Sequence, residues 1–186
     1  MIFYHMMYNG NKYENDGAMY RINKKYEMKV FNNDCGLHTF KGKKLNLDKI
    51  YVDVIDAGID TDFLWIVGIS GLNVSPRFKE LLEKFNIGEN EFIPIYITGT
   101  DKLVGYHVNK LRVLGRECID YKNSKCWMGE SVVACFKYNN IFGYDMFSKI
   151  ESKYDFCCST YVSNRVKKEI KNQGITGCSF IRVATV

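Results

Sequence analysis

Proline and long apolar runs are scarce in this chain. Only two of its 186 residues are proline, and no low-complexity segment marks a linker between domains. The longest apolar run, Phe63–Ile69, is too short for a membrane span, which needs about 20 residues. Residues 1–15 lack the basic and unbroken apolar parts of a signal peptide. We therefore expect one soluble, cytoplasmic domain over residues 1–186, with no membrane partner.

Familiar catalytic motifs are missing as well. The sequence contains no P-loop, no G-x-G-x-x-G and no G-x-S-x-G. The three histidines, His5, His38 and His107, lie far apart, and their spacing to the cysteines fits no zinc finger or ribbon. No catalytic residue, cofactor or metal site is predicted. This absence favours a binding protein over an enzyme.

Cysteine is present in an odd number, in apolar surroundings such as VVACF and DFCCS. The seven residues are Cys35, Cys118, Cys126, Cys135, Cys157, Cys158 and Cys178. Such cysteines are typically small buried hydrophobes in a reducing compartment. A nucleophilic cysteine paired with a distant histidine stays open as an alternative, which would make the chain a small hydrolase or transferase.

The formal net charge is +5, and the lysines are scattered along the sequence, a pattern typical of a solvated surface. Nucleic acid is not the expected partner, although the lysine-rich stretch Val166–Lys171 leaves a nucleic-acid-binding module as a further alternative. An acidic group suggests either a site for a cation or basic partner, or the solvent side of a strand and loop. It consists of Asp53, Asp56, Asp60 and Asp62.

An internal repeat organises the chain. Val74–Ile95 aligns without a gap with Val162–Val183, and seven positions are identical. The identical pairs are Val74/Val162, Ser75/Ser163, Arg77/Arg165, Lys79/Lys167, Ile87/Ile175, Phe92/Phe180 and Ile93/Ile181. We call these stretches the first and second units and predict that their Cα traces superpose.

Each unit is predicted to contain an N-cap, a helix, a left-handed stop and a strand. Ser75 and Ser163 are placed to cap the helices, and Asn86 and Gly174 occupy the same stop position. The first-turn arginines Arg77 and Arg165 oppose the helix dipole, so each needs a partner, such as a carboxylate in the same unit. Alternating and apolar runs predict about eight to ten short strands elsewhere. The fold class is α+β, with mixed or antiparallel sheets and two main helices.

Four stretches resemble a family of immunity proteins from bacterial polymorphic toxin systems, formerly a domain of unknown function and typified by a myxobacterial protein. They are Ile2–Tyr8, Asp62–Leu82 (DFLWIVGISGLNVSPRFKELL), Tyr106–Asp120 (YHVNKLRVLGRECID) and Val162–Val183. The resemblance implies a cytoplasmic, non-enzymatic protein that binds and blocks the C-terminal toxin domain of a cognate toxin. It supplies no catalytic residues.

Aromatic and arginine side chains are the usual anchors of protein interfaces. On that basis the predicted partner-binding residues are Tyr13, Tyr20, Arg21, Arg112 and Trp127. Trp65 is a further candidate, but core packing is favoured for both tryptophans. No oligomeric state is predicted.

Overall fold

A computed structural model provides the fold. The described residues are 1–9, 18–23, 30–33, 36–39, 47–69, 71–89, 91–109, 111–127, 130–149 and 159–186. Within them the helices are α1 (Pro76–Leu82), α2 (Tyr138–Ile141) and α3 (Asn164–Asn172), with a 3-10 helix at Arg116–Cys118. The strands are β1 (Phe3–Tyr8), β2 (Met19–Ile22), β3 (Val30–Asn33), β4 (Gly36–Thr39), β5 (Ile50–Asp56), β6 (Trp65–Val67), β7 (Asn73–Val74), β8 (Glu91–Ile97), β9 (Leu103–Asn109), β10 (Val113–Leu114), β11 (Lys125–Trp127), β12 (Glu130–Val133), β13 (Cys135–Phe136), β14 (Met146–Lys149), β15 (Thr160–Ser163), β16 (Cys178–Arg182) and β17 (Ala184–Thr185).

Most strands belong to two sheets. A six-stranded sheet has the order β6-β2-β5-β8-β9-β7, and a five-stranded sheet has the order β10-β14-β15-β1-β16. Both are mixed, because β2 runs parallel to β6 but antiparallel to β5, and β14 runs parallel to β10 but antiparallel to β15. The pairs β3-β4, β11-β12 and β13-β17 complete the described sheets. The predicted α+β class with mixed sheets is confirmed.

Among the described residues, the hydrophobic core forms three clusters. The central cluster draws on both sheets and both longer helices, and includes Phe78 and Leu82 of α1 with Val166 and Ile170 of α3. A second cluster, rich in isoleucine, belongs to the six-stranded sheet. The third belongs to the five-stranded sheet and contains four aromatic rings with centres 4.7 to 5.7 Å apart. These rings are Phe3, Phe136, Phe147 and Tyr161. Each sheet thus contributes side chains to two clusters, as the alternation of side chains along a strand allows.

Both longer helices begin where the sequence predicts. The Ser75 hydroxyl accepts a hydrogen bond from the Phe78 amide at 3.1 Å, and the Ser163 hydroxyl accepts one from the Val166 amide at 3.4 Å. Pro76 occupies the first turn of α1, where its missing amide proton leaves no intrahelical bond unmade. The serine caps and the proline fix the start of each helix from local sequence alone.

The helix ends differ between the units. Gly174 follows α3 with a φ of +63°, which confirms the left-handed conformation predicted there. In the first unit the glycine with a positive φ is Gly88, at +101°, two residues beyond the predicted stop at Asn86. Strands β8 and β16 follow these turns, as expected.

In each unit, the two strands are bridged by a third strand that comes from outside the unit. β9 lies between β7 and β8, and β1 lies between β15 and β16. Corresponding residues of the two units face a Tyr-His pair on these strands in the same register. The facing pairs are Val74–Tyr106 and Ile93–His107 in one sheet, and Val162–Tyr4 and Ile181–His5 in the other.

A lysine of each helix covers the tyrosine of that added strand. Lys79 Nζ lies 5.3 Å from the ring centre of Tyr106, and Lys167 Nζ lies 3.3 Å from that of Tyr4. Each ammonium group also lies over the single phenylalanine of the following strand, at 5.1 and 5.7 Å. The identical lysines therefore make cation–π contacts that join each helix to two strands.

A buried carboxylate in front of the first unit anchors Arg77. Asp62, only 7% exposed, accepts hydrogen bonds from Arg77 at 2.5 Å and from the Ser75 hydroxyl at 2.6 Å. The amide and hydroxyl of Thr176 donate to it as well, at 2.9 and 3.1 Å. Burial raises the pKa of Asp62, but the hydrogen bonds from Arg77, Ser75 and Thr176 together lower it below its usual value. Arg77 also donates to the Gly174 carbonyl, beyond the end of α3.

Asp145 anchors Arg165 in the same way. It is 3% exposed and forms an ion pair with Arg165 and a hydrogen bond with the Ser163 hydroxyl at 3.2 Å. The Asn86 amide donates to it at 3.0 Å, and the Arg165 guanidinium lies 5.2 Å from the Phe85 ring. Each arginine therefore reaches the end of the other unit's helix. The expected carboxylate partners exist, although each precedes its unit in sequence.

Three local sequence patterns lead to wrong predictions. The pair Asn139–Asn140 predicts a turn but lies within helix α2, and Asn32–Gly42 predicts a loop but contains the β3-β4 hairpin. The apolar run Asp62–Ile69 predicts a buried strand or a short helix, with its length favouring the strand, but only β6 within it is a strand. A turn expected over Asn9–Gly17 and a possible strand over Tyr154–Thr160 fall mostly outside the described residues. A short polar helix and a short hairpin have no long periodic pattern to reveal them.

Candidate partner-binding surface

A cleft of about 380 Å³ opens between β1 and the β6 side of the six-stranded sheet. The Tyr8 ring centre lies 5.2 Å from that of Trp65 and 5.9 Å from that of Phe63. Most of the remaining lining is apolar and comprises Met6, Met7, Leu64, Ile66 and Ile69. We call this feature the aromatic cleft. Its size and lining suit a large apolar side chain.

The histidine in the described lining of the aromatic cleft, His5, and the buried His107 behind it are both neutral near pH 7. His5 stacks on Tyr161 with ring centres 4.9 Å apart, and burial, followed by the charge of Lys149, lowers its pKa. Asn73, also in the lining, accepts a hydrogen bond from Nδ1 of His107 at 2.9 Å. Complete burial lowers the pKa of His107 to about 4. Its described lining residues therefore offer apolar and hydrogen-bonding contacts and include no charged side chain.

The outer face of the six-stranded sheet begins at Trp65, on the rim of the aromatic cleft. The strand register places two rows of side chains across β6, β2 and β5. One row is Trp65, Met19 and Asp56, and the other is Val67, Arg21 and Asp53. Neighbouring strands lie about 4.8 Å apart, so the backbones of Trp65 and Asp56 are about 10 Å apart. We call these six residues the edge surface.

Exposed apolar side chains are concentrated in this part of the molecule. Eleven large hydrophobic residues are exposed among those described, and five of them lie between positions 54 and 67. They are Val54, Ile55, Ile59, Trp65 and Val67, exposed by 37 to 62%. Single exposed apolar residues are ordinary, but several in one segment, with Trp65 at the cleft itself, are typical of an interaction surface.

The same segment is acidic although the chain is basic. Residues 50–69 contain four aspartates and no lysine or arginine, whereas the whole chain has a net charge of +5. Asp62 belongs to the buried cluster with Arg77, and Asp53 and Asp60 each accept a hydrogen bond from a neighbouring side chain. Asp56 is exposed and has no partner among the residues that the structure describes. Within those residues, no group of three potential metal ligands occurs.

The predicted partner-binding residues differ in how exposed their side chains are. Arg21 is exposed on the edge surface. Tyr20 is only 4% exposed and donates its hydroxyl to a carboxylate at 2.6 Å, so its side chain offers almost no contact area. Arg112 is half-buried, with its guanidinium 4.3 Å from the centre of a tyrosine ring. Tyr13 lies outside the described residues, and Trp127 lies on β11, where only the backbone is described.

The core packing favoured for Trp65 is wrong, because 47% of this residue is exposed. β6 alternates between exposed and buried positions, with Ile66 in the core and its two neighbours outside. All three residues of the strand are apolar, so the sequence alternation that reveals a half-exposed strand is missing. The run of aspartates just before it was the available signal for a solvent-facing edge.

Two of the described thiols, Cys135 and Cys178, are poor nucleophiles. Burial, followed by the charge of Asp62, raises the pKa of Cys178 to about 12. Burial, followed by the charge of Asp120, raises the pKa of Cys135. A thiol with a raised pKa stays protonated near neutral pH and reacts slowly. The adjacent pair Cys157–Cys158, a possible redox site by sequence, lies outside the described residues.

This α+β protein thus combines a largely apolar cleft with a segment of exposed apolar residues, a combination common at interaction surfaces. Among its described helices, none has the length and apolar character needed to cross a membrane. The sequence profile of the immunity protein family (Imm11) matches residues 50–185, and the chain belongs to this family. The resemblance to immunity proteins is thereby confirmed. No curated protein matches the chain.

Proposed function

We propose that this chain is a cytoplasmic, non-enzymatic immunity protein that binds the C-terminal toxin domain of a cognate toxin and blocks it. The family match over residues 50–185 carries this proposal. The grouping of exposed apolar residues between positions 54 and 67 supports it, because an inhibitor of this kind needs a rigid scaffold and a complementary surface. We also propose that residues 1–186 act as one domain.

The experiment is capture of the toxin followed by a protection assay. Tagged protein is incubated with a lysate of its own source, and retained proteins are identified by mass spectrometry. The expected result is a large secreted protein retained through its C-terminal region. Expression of that region alone in a test bacterium should stop growth, and co-expression of the wild-type chain should restore it. Growth arrest that persists despite soluble wild-type chain would contradict the proposal.

An enzyme using cysteine and histidine gains no support from the described thiols. Its test is alkylation by iodoacetamide over a range of pH. A catalytic cysteine with a lowered pKa reacts quickly below pH 8, whereas ordinary thiols, with a pKa of about 8.5, react slowly there. A single fast-reacting cysteine, whose loss also abolished protection, would favour the enzyme.

We further propose that the first and second units are copies of one module. The support lies in matched contacts: serine caps, arginine–aspartate clusters, lysine–tyrosine contacts and an added Tyr-His strand in each half. Substitutions at matched positions test this idea, because copies of one module should respond alike wherever their surroundings are alike.

A further inference from the structure

We propose that the aromatic cleft and the edge surface together bind one basic segment of the toxin domain. An apolar side chain of that segment enters the cleft, and a lysine or arginine beside it pairs with Asp56. This inference rests on the proposed function and adds to it the location and chemistry of the interface.

The aromatic cleft selects an apolar anchor. Its rim is formed by Tyr8 and Trp65, residue types that are enriched among the dominant contacts of protein interfaces. His5 is neutral near pH 7 and Asn73 is already hydrogen-bonded, so a charged group would lose its hydration there without a compensating ion pair. A large aliphatic or aromatic side chain enters the cleft at no such cost.

The edge surface selects a positive charge next to that anchor. Asp56 shares a register row with Trp65, about 10 Å away across β2. An extended chain rises about 3.3 Å per residue, so a residue three positions from the anchor reaches the carboxylate. Because Asp56 is exposed and without a partner in the described part of the chain, no existing ion pair must break.

The net negative charge of the edge surface disfavours an acidic partner. The edge surface contains two carboxylates and one guanidinium, and Asp60 adds a further carboxylate in the same segment. The lysines that contribute to the positive net charge of the whole chain include Lys168 and Lys171 on the exposed side of α3, outside this surface. A basic partner therefore meets a complementary field at the edge surface and a repulsive one at α3.

The experiment measures affinity for the toxin domain recovered with the wild-type chain, purified with its toxic activity removed by substitution. Trp65→Ala should weaken binding at least about 30-fold, as expected for a central interface anchor. Asp56→Lys should weaken it about tenfold at low salt and clearly less at 0.5 M salt, because salt screens the new repulsion. Protection of cells should fall in the same order.

Two matched controls separate this surface from the rest of the molecule. Phe142→Ala removes an apolar side chain that is 62% exposed but distant in sequence from both features. Lys168→Glu makes a charge reversal of the opposite sign on exposed α3. Both should leave affinity within about twofold of wild type. Circular dichroism and thermal unfolding verify that each variant is folded, and the exposed position of Asp56 keeps that test informative if Trp65→Ala unfolds.

The outcomes are distinguishable. If the wild-type chain retains and neutralises the toxin domain but Trp65→Ala and Asp56→Lys bind it equally well, the interface lies elsewhere and only this inference fails. A loss confined to Lys168→Glu would place an acidic partner on α3 and also overturn it. If the wild-type chain neutralises no toxin, the proposed function and this inference fail together.

Discussion

Ile93 and Ile181 are the same residue at matched positions, yet Ile93 is 4% exposed and Ile181 is 54% exposed. Each lies on the strand after its unit's helix and faces the histidine of the added strand. The difference lies in what surrounds them. β8 pairs with β5 on its other side, and Ile93 packs in the second core cluster with residues of β5 and β2. β16, in contrast, is an edge strand of the five-stranded sheet. A shared local design therefore fixes contacts within a unit, and the neighbouring strands decide which of its faces become core.

The largest expected difference concerns the helix interior. Phe78 and Val166 occupy matched positions, and both are fully buried in the central cluster. Phe78→Ala should lower the free energy of unfolding by about 4 kcal/mol and Val166→Ala by about 2 kcal/mol, because more apolar volume is lost at Phe78. Urea denaturation followed by tryptophan fluorescence measures both. Equal losses would mean that the two helices contribute equally despite their different side chains.

The matched histidines should respond differently to acid. The pKa of His107 is about 4 in the folded protein and about 6.5 when unfolded, so stability present above pH 6.5 is lost as the pH falls towards 4. The loss should be on the order of 3 kcal/mol, since each pKa unit corresponds to about 1.4 kcal/mol. His107→Gln should flatten this part of the stability curve in urea titrations at several pH values. His5→Gln, at a half-exposed position, should change the stability curve much less. An equal effect of the two substitutions would contradict the attribution of the acid-induced loss to His107.

The two aspartate clusters should behave alike. Asp62→Ala and Asp145→Ala each leave an arginine, a serine hydroxyl and a backbone amide without their buried acceptor. Each should cost about 2 to 3 kcal/mol of unfolding free energy, because the arginines can regain water whereas the buried donors cannot. Asp56→Ala, at an exposed aspartate, is the control and should cost less than about 0.5 kcal/mol. If Asp145→Ala left the free energy of unfolding unchanged, the two units would not be equivalent.

The smallest expected effect concerns the matched lysines. Lys79→Met and Lys167→Met keep most of the side-chain stem but remove the charge above Tyr106 and Tyr4. Each should cost about 0.5 to 1 kcal/mol, the usual value of a partly exposed cation–π contact. Lys79 also pairs with Glu83 at 2.6 Å, so Glu83→Gln in a double-mutant cycle separates the two contributions. A zero cost for both lysines would mean that their identity in the two units reflects solubility alone.

The features that the sequence predicted correctly depend on residues that are close together in the chain. The serine caps, the two helices and the need for a partner at Arg77 and Arg165 follow from residues within one or two helical turns. The partners themselves were not identified, because Asp62 precedes its arginine by 15 residues and Asp145 precedes its arginine by 20. Because these two separations differ, an alignment of the two units without gaps cannot match the two aspartates.

The candidate surface was less accessible to sequence reasoning. Arg21 and Tyr20 were both predicted to bind a partner, but Arg21 is exposed and Tyr20 is buried, since neighbouring residues of a strand point to opposite faces. Which face of β2 meets the core depends on Val52 and Ile66 in other strands. The aromatic cleft joins Tyr8 to Trp65 across 57 residues of sequence, a contact that no local pattern can predict.

The position of β1 has a consequence for how the protein is made. Its neighbours in the sheet, β15 and β16, begin at residues 160 and 178, so they leave the ribosome more than 150 residues later. At typical rates of about 5 to 20 residues per second, that delay is roughly 8 to 30 s. During this time a strand rich in aromatic residues and methionine has both edges unpaired, a state prone to association with other chains. We expect the growing chain to need a chaperone at β1 until the second unit emerges and encloses that strand.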